Sequence, residues 1–255
     1  MSRIVVKVGS NVLTRPDGTL DITIMSSLVD QIAELREQGH EVILVSSGAV
    51  ACGRKILKDA DVRDEVEKRQ LYSAMGQVRL IELYFHLFRE HGMIMGQILT
   101  MKEHFQEGRE LENQRNCMDV MLRNGVTPVV NENDTVCITE LMFSDNDELS
   151  ALIAEAMGAE SLILLTNVEG IYDGDPNAEG SKVIPLIRPD DHFEGKIVPS
   201  KSSFGRGGMR SKYENAKKMA AKGIKVIIAR GRKEHILVDV ITKPEKVTHT
   251  EFSIK

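Results

Sequence analysis

Arg3-Ile4-Val5-Val6-Lys7-Val8-Gly9-Ser10 is a β-branched run closed by two small residues. A run of this kind reads as a strand buried on both faces, and the Gly-Ser pair marks the turn at its carboxyl end. A helix fits Asp21 to Gln38. Ile24, Leu28, Ile32 and Leu35 recur there at helical spacing, Asp21 stands where a cap belongs, and Gly39 follows as a stop. Glu41 to Ser46 repeats the first strand and ends in another small-residue turn, Ser47-Gly48-Ala49. Strand, helix and strand in this order predict a βαβ crossover with parallel pairing.

The same alternation continues along the chain. A long helical pattern covers roughly Asp64 to His91, and Met93 to Leu99 reads as a strand. A helix from about Arg109 to Asn124 follows, with Leu111, Met118 and Leu122 on one face and Gly125 ending it. Val126 to Val130 is a strand leading into Asn131-Glu132-Asn133-Asp134. A helix from about Asp147 to Met157 and a strand from Ser161 to Leu165 come next. Between Gly170 and Gly208 the pattern breaks into Gly, Pro, Asp and Ser, which predicts a hairpin-bearing region. A helix from about Met209 to Lys222 and a strand from Ile224 to Ala229 restore the order. The expectation is an α/β fold, one three-layer αβα sandwich with a mainly parallel central sheet spanning residues 1–255 as a single domain.

Composition narrows the classes of function. A formal net charge of −5 gives no basic excess for nucleic acid or an anionic membrane surface. No apolar run approaches the roughly 20 residues that cross a bilayer, and the start is too quickly charged for a secretory signal. Cys52, Cys117 and Cys137 are odd in number and far apart, so they read as reduced thiols in the cytoplasm. The histidines form no H-x-x-x-H pair, which argues against a protein-held zinc.

Open parallel sheets bind ligands at the carboxyl ends of their strands. Gly9-Ser10, Ser47-Gly48, Asn131 to Asp134 and Thr166-Asn167 all fall at such ends. Lys7 sits within an apolar run, so on a central strand its ammonium needs an anion. On an edge strand it would merely reach water. The small residues after Ser46 give backbone N–H groups room near an anion, although an ordinary βα turn looks alike. Asn131-Glu132-Asn133-Asp134 and Ser144-Asp145-Asn146-Asp147 mix amides with carboxylates. That mixture suits an amino acid, the carboxylates holding its ammonium and the amide N–H groups its carboxylate. The same residues also make Asx-turns and caps, and Asp145 or Asn146 is placed to cap the following helix. Neither tetrad has the spacing of an EF-hand. Ser203 to Lys212 is a Gly-rich turn entering a helix, an anion site in form, but neither a Walker A loop nor a dinucleotide fingerprint.

Taken in order, these motifs resemble the amino acid kinase family. They are Val5-Val6-Lys7-Val8-Gly9-Ser10, Ser46 to Ala51, Asn131 to Val136, Asp145 to Ala151, Leu164 to Asn167 and Gly207-Gly208-Met209. Asn131 to Asp134, with Ala74-Met75-Gly76-Gln77, match its glutamate 5-kinase branch. The resemblance implies transfer of the ATP γ-phosphoryl group to the side-chain carboxylate of L-glutamate, the first step of proline synthesis. Catalytic roles then fall on Lys7, Lys212 and Asp147, the lysines bracketing the phosphoryl group and Asp147 holding both. Ser47, Gly48, Asn133, Asp134 and Asn146 would line the glutamate pocket. Lys7, Gly9, Ser10, Thr166, Asn167, Gly207, Gly208, Met209 and Lys212 would contact ATP. Mg²⁺ would bridge the phosphates and keep much of its water, with no protein ligand named. Implied partners are glutamate, proline as feedback inhibitor, a γ-glutamyl phosphate reductase and further copies of the chain. No nucleic acid or membrane is implied.

Three departures accompany the resemblance. The family's Thr-Asp is Thr166-Asn167 here, and its Gly-Thr-Gly-Gly-Met is Gly205-Arg206-Gly207-Gly208-Met209. Both lie on the nucleotide side and add positive character. Many relatives also carry a C-terminal PUA domain, for which this chain is expected to be too short. Two other readings stay open: a kinase for another small acid such as aspartate, and a non-catalytic amino-acid sensor.

Overall fold

In the computed structural model, which describes residues 2–136, 145–176, 178–193 and 208–254, the first strand is the centre of the sheet. β1 (Arg3–Val8) pairs in parallel with β2 (Glu41–Ser46) on one side and β5 (Ser161–Thr166) on the other. Beyond β2 lie β4 (Val126–Glu132) and then β3 (Ile94–Thr100); beyond β5 lie β7 (Lys225–Arg230), β8 (Thr250–Phe252) and β6 (Leu186–Ile187). The pairings are parallel except between β7 and β8.

Helices cover both faces. One carries α1 (Ser10–Leu13), α2 (Ile22–Glu37), α3 (Ala49–Ile56), α4 (Glu65–Glu90) and α8 (Ile236–Thr242). The other carries α5 (Arg109–Arg123), α6 (Asn146–Ala156) and α7 (Met209–Ala221). The period of two along β1 sends Ile4, Val6 and Val8 into the first layer and Val5 into the second. Lys7 shares the parity of Val5, so it projects toward the layer that holds α6 and α7. The alternation therefore aims Lys7 at two helix starts.

The three-layer sandwich and parallel sheet are as the sequence implies, and the element boundaries agree within a residue or two. Differences have local causes. Asp21 does occupy the N-cap position of α2, but its side chain makes no cap hydrogen bond. Arg232 takes its carboxylate at 3.0 Å instead, with Arg15 at 3.6 Å. A guanidinium outbids a backbone N–H for a carboxylate because both partners are charged. The eight-residue α3 reads in sequence as no more than a turn. α8 and β8 lie beyond the last assigned strand; α8 is nearly all apolar, so no periodicity distinguishes it. The described part of the 170–208 region contributes one antiparallel bridge, Tyr172 to Val183, and the short β6. The rest of that region, with Gly205, Arg206 and Gly207, lies outside the described residues, as do Cys137 and Ser144.

Candidate active site

Because β4, β2, β1 and β5 are neighbours and parallel, their carboxyl ends open on one edge of the sheet. Lys7 reaches Asp147 from β1, its Nζ donating to Oδ1 at 2.6 Å. Lys212, in the second turn of α7, donates to Oδ2 of the same carboxylate at 2.9 Å. Asp147 is fully buried, and the two lysines are 5% and 9% exposed. A buried charge without a partner is costly, and here one carboxylate answers two ammonium ions. Burial pushes the Asp147 carboxyl up, but the charges and hydrogen bonds of Lys7 and Lys212 outweigh it and hold the group below its usual range.

Asp147 is held in place by its neighbour. Asp145 caps α6, accepting from the Asp147 and Glu148 N–H groups at 2.9 Å each, and also accepts from Ser211 Oγ of α7 at 2.7 Å. The capping alternative weighed for Asp145 is thus realised, and the cap ties the starts of α6 and α7 together. α7 itself has Gly208 at its N-cap and no side-chain cap. A helix start without a side-chain cap has the form of an anion site. Gly9 has ordinary backbone angles, but a Cβ there would lie 3.5 Å from Lys7 Nζ. Ser10 opens α1, Thr166 is buried at the end of β5, and Asn167 beside it is exposed.

A second group surrounds the start of α3. Gly48 sits at φ +111°, a left-handed conformation that favours glycine, and a Cβ would press on Leu20 at 3.3 Å. Asn146 Nδ2 donates to Ser47 Oγ at 2.8 Å, Asn131 Oδ1 at 3.0 Å and the Ser46 carbonyl at 3.2 Å. Asn131 in turn donates to Gln77 of α4 at 2.9 Å. Ser46 Oγ and Tyr84 of α4 share a hydrogen bond of 2.9 Å. Asn133 accepts from Thr135 Oγ1 at 2.6 Å. Asp134 is 6% exposed and accepts from Arg69 Nε at 2.6 Å, while Arg69 Nη2 reaches Glu132 at 2.6 Å.

All of the residues singled out from the sequence that fall among the described ones lie at or next to these strand ends and helix starts; Gly207 is outside the described residues. Arg69, Tyr84 and Ser211 were not singled out, and Gln77 was named only within the Ala74 to Gln77 motif, without a role. Arg69, Gln77 and Tyr84 lie on the long helix as i, i+8 and i+15, one stripe of the face turned to the sheet. That spacing is present in the sequence, but nothing in the helix says which polar residues would meet β2 and β4.

The Lys7–Asp147–Lys212 cluster yields a prediction about stability. Asp147→Asn leaves two buried ammonium ions without a carboxylate and should cost about 3–5 kcal/mol near pH 7. Asp147 has a depressed pKa, so its stabilisation is complete above the ordinary carboxylate value of 3.8 and is lost as pH falls through the lower folded value. Urea unfolding of wild type and variant should therefore converge in stability as the pH falls well below 4. A constant difference down to the acid limit would contradict this.

The model of the amino acid kinase family matches residues 2–230. A glutamate 5-kinase of Bacteroides thetaiotaomicron is 55% identical over 98% of this chain and 70% of its own length. One from Chlorobaculum tepidum is 47% identical over 92% of this chain and 65% of its own length. The chain thus spans about two thirds of the length of these relatives. Among solved structures, an isopentenyl phosphate kinase in complex with its substrate superposes with a TM-score of 0.70 at 17% identity, over 98% of this chain and 99% of that one. At that identity the likeness speaks for the fold alone.

Proposed function

The chain belongs to the amino acid kinase family, and on that premise we propose that it is an ATP-dependent glutamate 5-kinase domain, as its 55%-identical relative is named. The observation that carries this reading is one buried carboxylate holding two ammonium ions at the strand ends, beside a pocket edge of amides and carboxylates. A carboxylate is already a competent nucleophile at neutral pH, so the reaction needs no serine or histidine base. An oxygen of the glutamate side chain attacks the γ-phosphorus, the bond from that phosphorus to the bridging oxygen breaks, and ADP leaves. No proton moves. Catalysis is then alignment and charge neutralisation.

In this scheme Lys7 and Lys212 bracket the transferring group, and Asp147 fixes both. The uncapped start of α7, Gly208 and Met209, takes phosphate oxygens, with Gly9 and Ser10 opposite. Thr166 and Asn167 flank the nucleotide. Ser47, Gly48, Asn133, Asp134 and Asn146 take glutamate. Ser47 accepts from Asn146 and keeps its own O–H to donate. Mg²⁺ would be held by the ATP phosphates and would supply charge neutralisation there. Both oxygens of Asp147 are committed to lysines, and no group of three His, Cys, Asp or Glu side chains among the described residues could hold a metal ion. The donor set thus suits a metal carried on the phosphates.

Residues 1–255 form a single kinase domain in this reading. No helix among the described residues is long and apolar enough to cross a membrane, and Cys52 and Cys117 are free thiols, which suits the reducing cytoplasm. Proline inhibition, self-association and delivery of the acyl phosphate to a reductase complete the proposal and rest on the family likeness.

Hydroxylamine trapping tests the acceptor. ATP with glutamate should give γ-glutamyl hydroxamate, and aspartate should give little. Hydroxamate from aspartate in preference to glutamate would move the assignment to another acid. Glutamate binding with no turnover would favour a sensor.

A further inference from the structure

The contact between Arg69 and Asp134 carries one step more, resting on the glutamate reading. Arg69 spends Nε and Nη2 on Asp134 Oδ1 and Glu132 Oε2, and no described residue is bonded to Nη1. Asp134 spends Oδ1, and no described residue is bonded to Oδ2. Their side chains are 20% and 7% exposed. Among the described residues, one donor edge and one acceptor edge therefore stand side by side without a partner. That is the complement of an amino-acid head group, which presents an ammonium and a carboxylate on one carbon.

Two of the three amides read from the sequence as holders of the substrate carboxylate are spoken for, and the third, Asn133, engages Thr135 through its oxygen and keeps its N–H groups to assist. Asn146 Nδ2 serves Ser46, Ser47 and Asn131, and Asn131 Nδ2 serves Gln77. Lys7 and Lys212 face Asp147 and belong to the phosphoryl end. Asn131, next to Glu132 on β4, and Asn146, next to Asp147 on α6, are joined by their own hydrogen bond. The two ends of the site are thereby held in fixed relation, one for the head group and one for the reacting carboxylate.

We propose that Arg69 is a specificity-determining residue that receives the α-carboxylate of glutamate while Asp134 takes the α-ammonium. The α-carboxylate is what separates glutamate from 4-aminobutyrate, which has the same reacting carboxylate and the same ammonium. Arg69 is thus the residue that excludes ω-amino acids, and Asp134 the one that excludes plain dicarboxylates such as glutarate.

The test measures the glutamate KM and the inhibition constants of glutarate and 4-aminobutyrate, by hydroxamate formation, in wild type, Arg69→Met and Arg69→Lys. Arg69→Met should weaken glutamate and glutarate by about 10- to 150-fold, the worth of a hydrogen bond to a charged group. It should leave 4-aminobutyrate unchanged, and Arg69→Lys should fall between. Equal weakening of all three compounds would mean that Arg69 only props up Asp134 and α4, and would overturn the assignment. No weakening of any would overturn it too. Should Arg69→Met fail to fold, the same three constants for Arg69→Lys decide. Absence of glutamate-dependent hydroxamate in the wild type would instead overturn the kinase reading itself.

Discussion

Lys212→Met is expected to lower kcat for hydroxamate formation from glutamate and ATP by about 100- to 1000-fold, the usual loss when one preorganised charge is taken from a transition state. Its effect on the glutamate KM should be small, because Lys212 meets the phosphoryl end and not the head group. Lys7→Met is expected to behave in the same way. The geometry makes a sharper statement about the pair. Lys7 comes from β1 and Lys212 from α7, and the link the structure shows between them is the carboxylate of Asp147, which each grips by a different oxygen. Groups that act as a unit are not additive. Asp147→Ala should therefore reduce kcat about as far as the double lysine variant, although Asp147 itself touches no substrate in this scheme. Glutamate binding by calorimetry should survive in Lys7→Met and Lys212→Met. If either single variant retains wild-type kcat, the phosphoryl-bracketing mechanism is wrong.

Much of this arrangement is legible in the sequence, for a definite reason. Lys7 is a charge inside an apolar run, and the period of two decides which layer it faces once its strand is known to be central. The edge-strand alternative disappears when β1 is found paired on both sides. Of the two cap candidates, Asp145 and Asn146, Asp145 takes the position, and the signal is legible because cap chemistry is local: a carboxylate two and three residues before open N–H groups needs no tertiary information. What sequence does not hold is the register between distant segments. Arg69 is one of several basic residues on α4, and only the docking of that helix on β4 selects it for Asp134 and Glu132. The same limit explains Asp21, a good cap by local rules until Arg232, from the far end of the chain, claims its carboxylate. Composition likewise ranks side chains by type and does not show that Asn146 meets Ser47 and Asn131.

Gly76 joins the fold to the site through the same logic, and its replacement should have the second large effect. In an isolated helix, Gly→Ala would stabilise by about 1 kcal/mol. Here α4 crosses α3 so closely that a Cβ on Gly76 would lie 1.8 Å from the Ala49 carbonyl oxygen and 2.5 Å from the Gly53 nitrogen. A Cβ on Gly53 would in turn lie 1.8 Å from the Tyr72 carbonyl oxygen. Both obstacles are backbone, so no side chain can rotate away and the helices must part. Overpacking costs about 1–3 kcal/mol, and obstacles made of backbone belong at the upper end of that range, which exceeds the gain in helix propensity and sets the sign. Gly76→Ala should be destabilised by about 2 kcal/mol net, measured by urea unfolding. The displacement also has a direction. α3 begins at Gly48 beside Ser47, and α4 carries Arg69 and Gln77, so parting the two helices pulls one wall of the glutamate pocket from the other. The glutamate KM should rise while the KM for ATP, which the proposed scheme puts beyond β1, stays near its wild-type value. Val78→Ala, two residues along the same helix at a position 71% exposed, is the control expected to leave the glutamate KM unchanged and to gain about 0.5 kcal/mol from helix propensity. A Gly76→Ala protein as stable as wild type would show that α3 and α4 have room to separate, and that Gly76 is not what sets their approach.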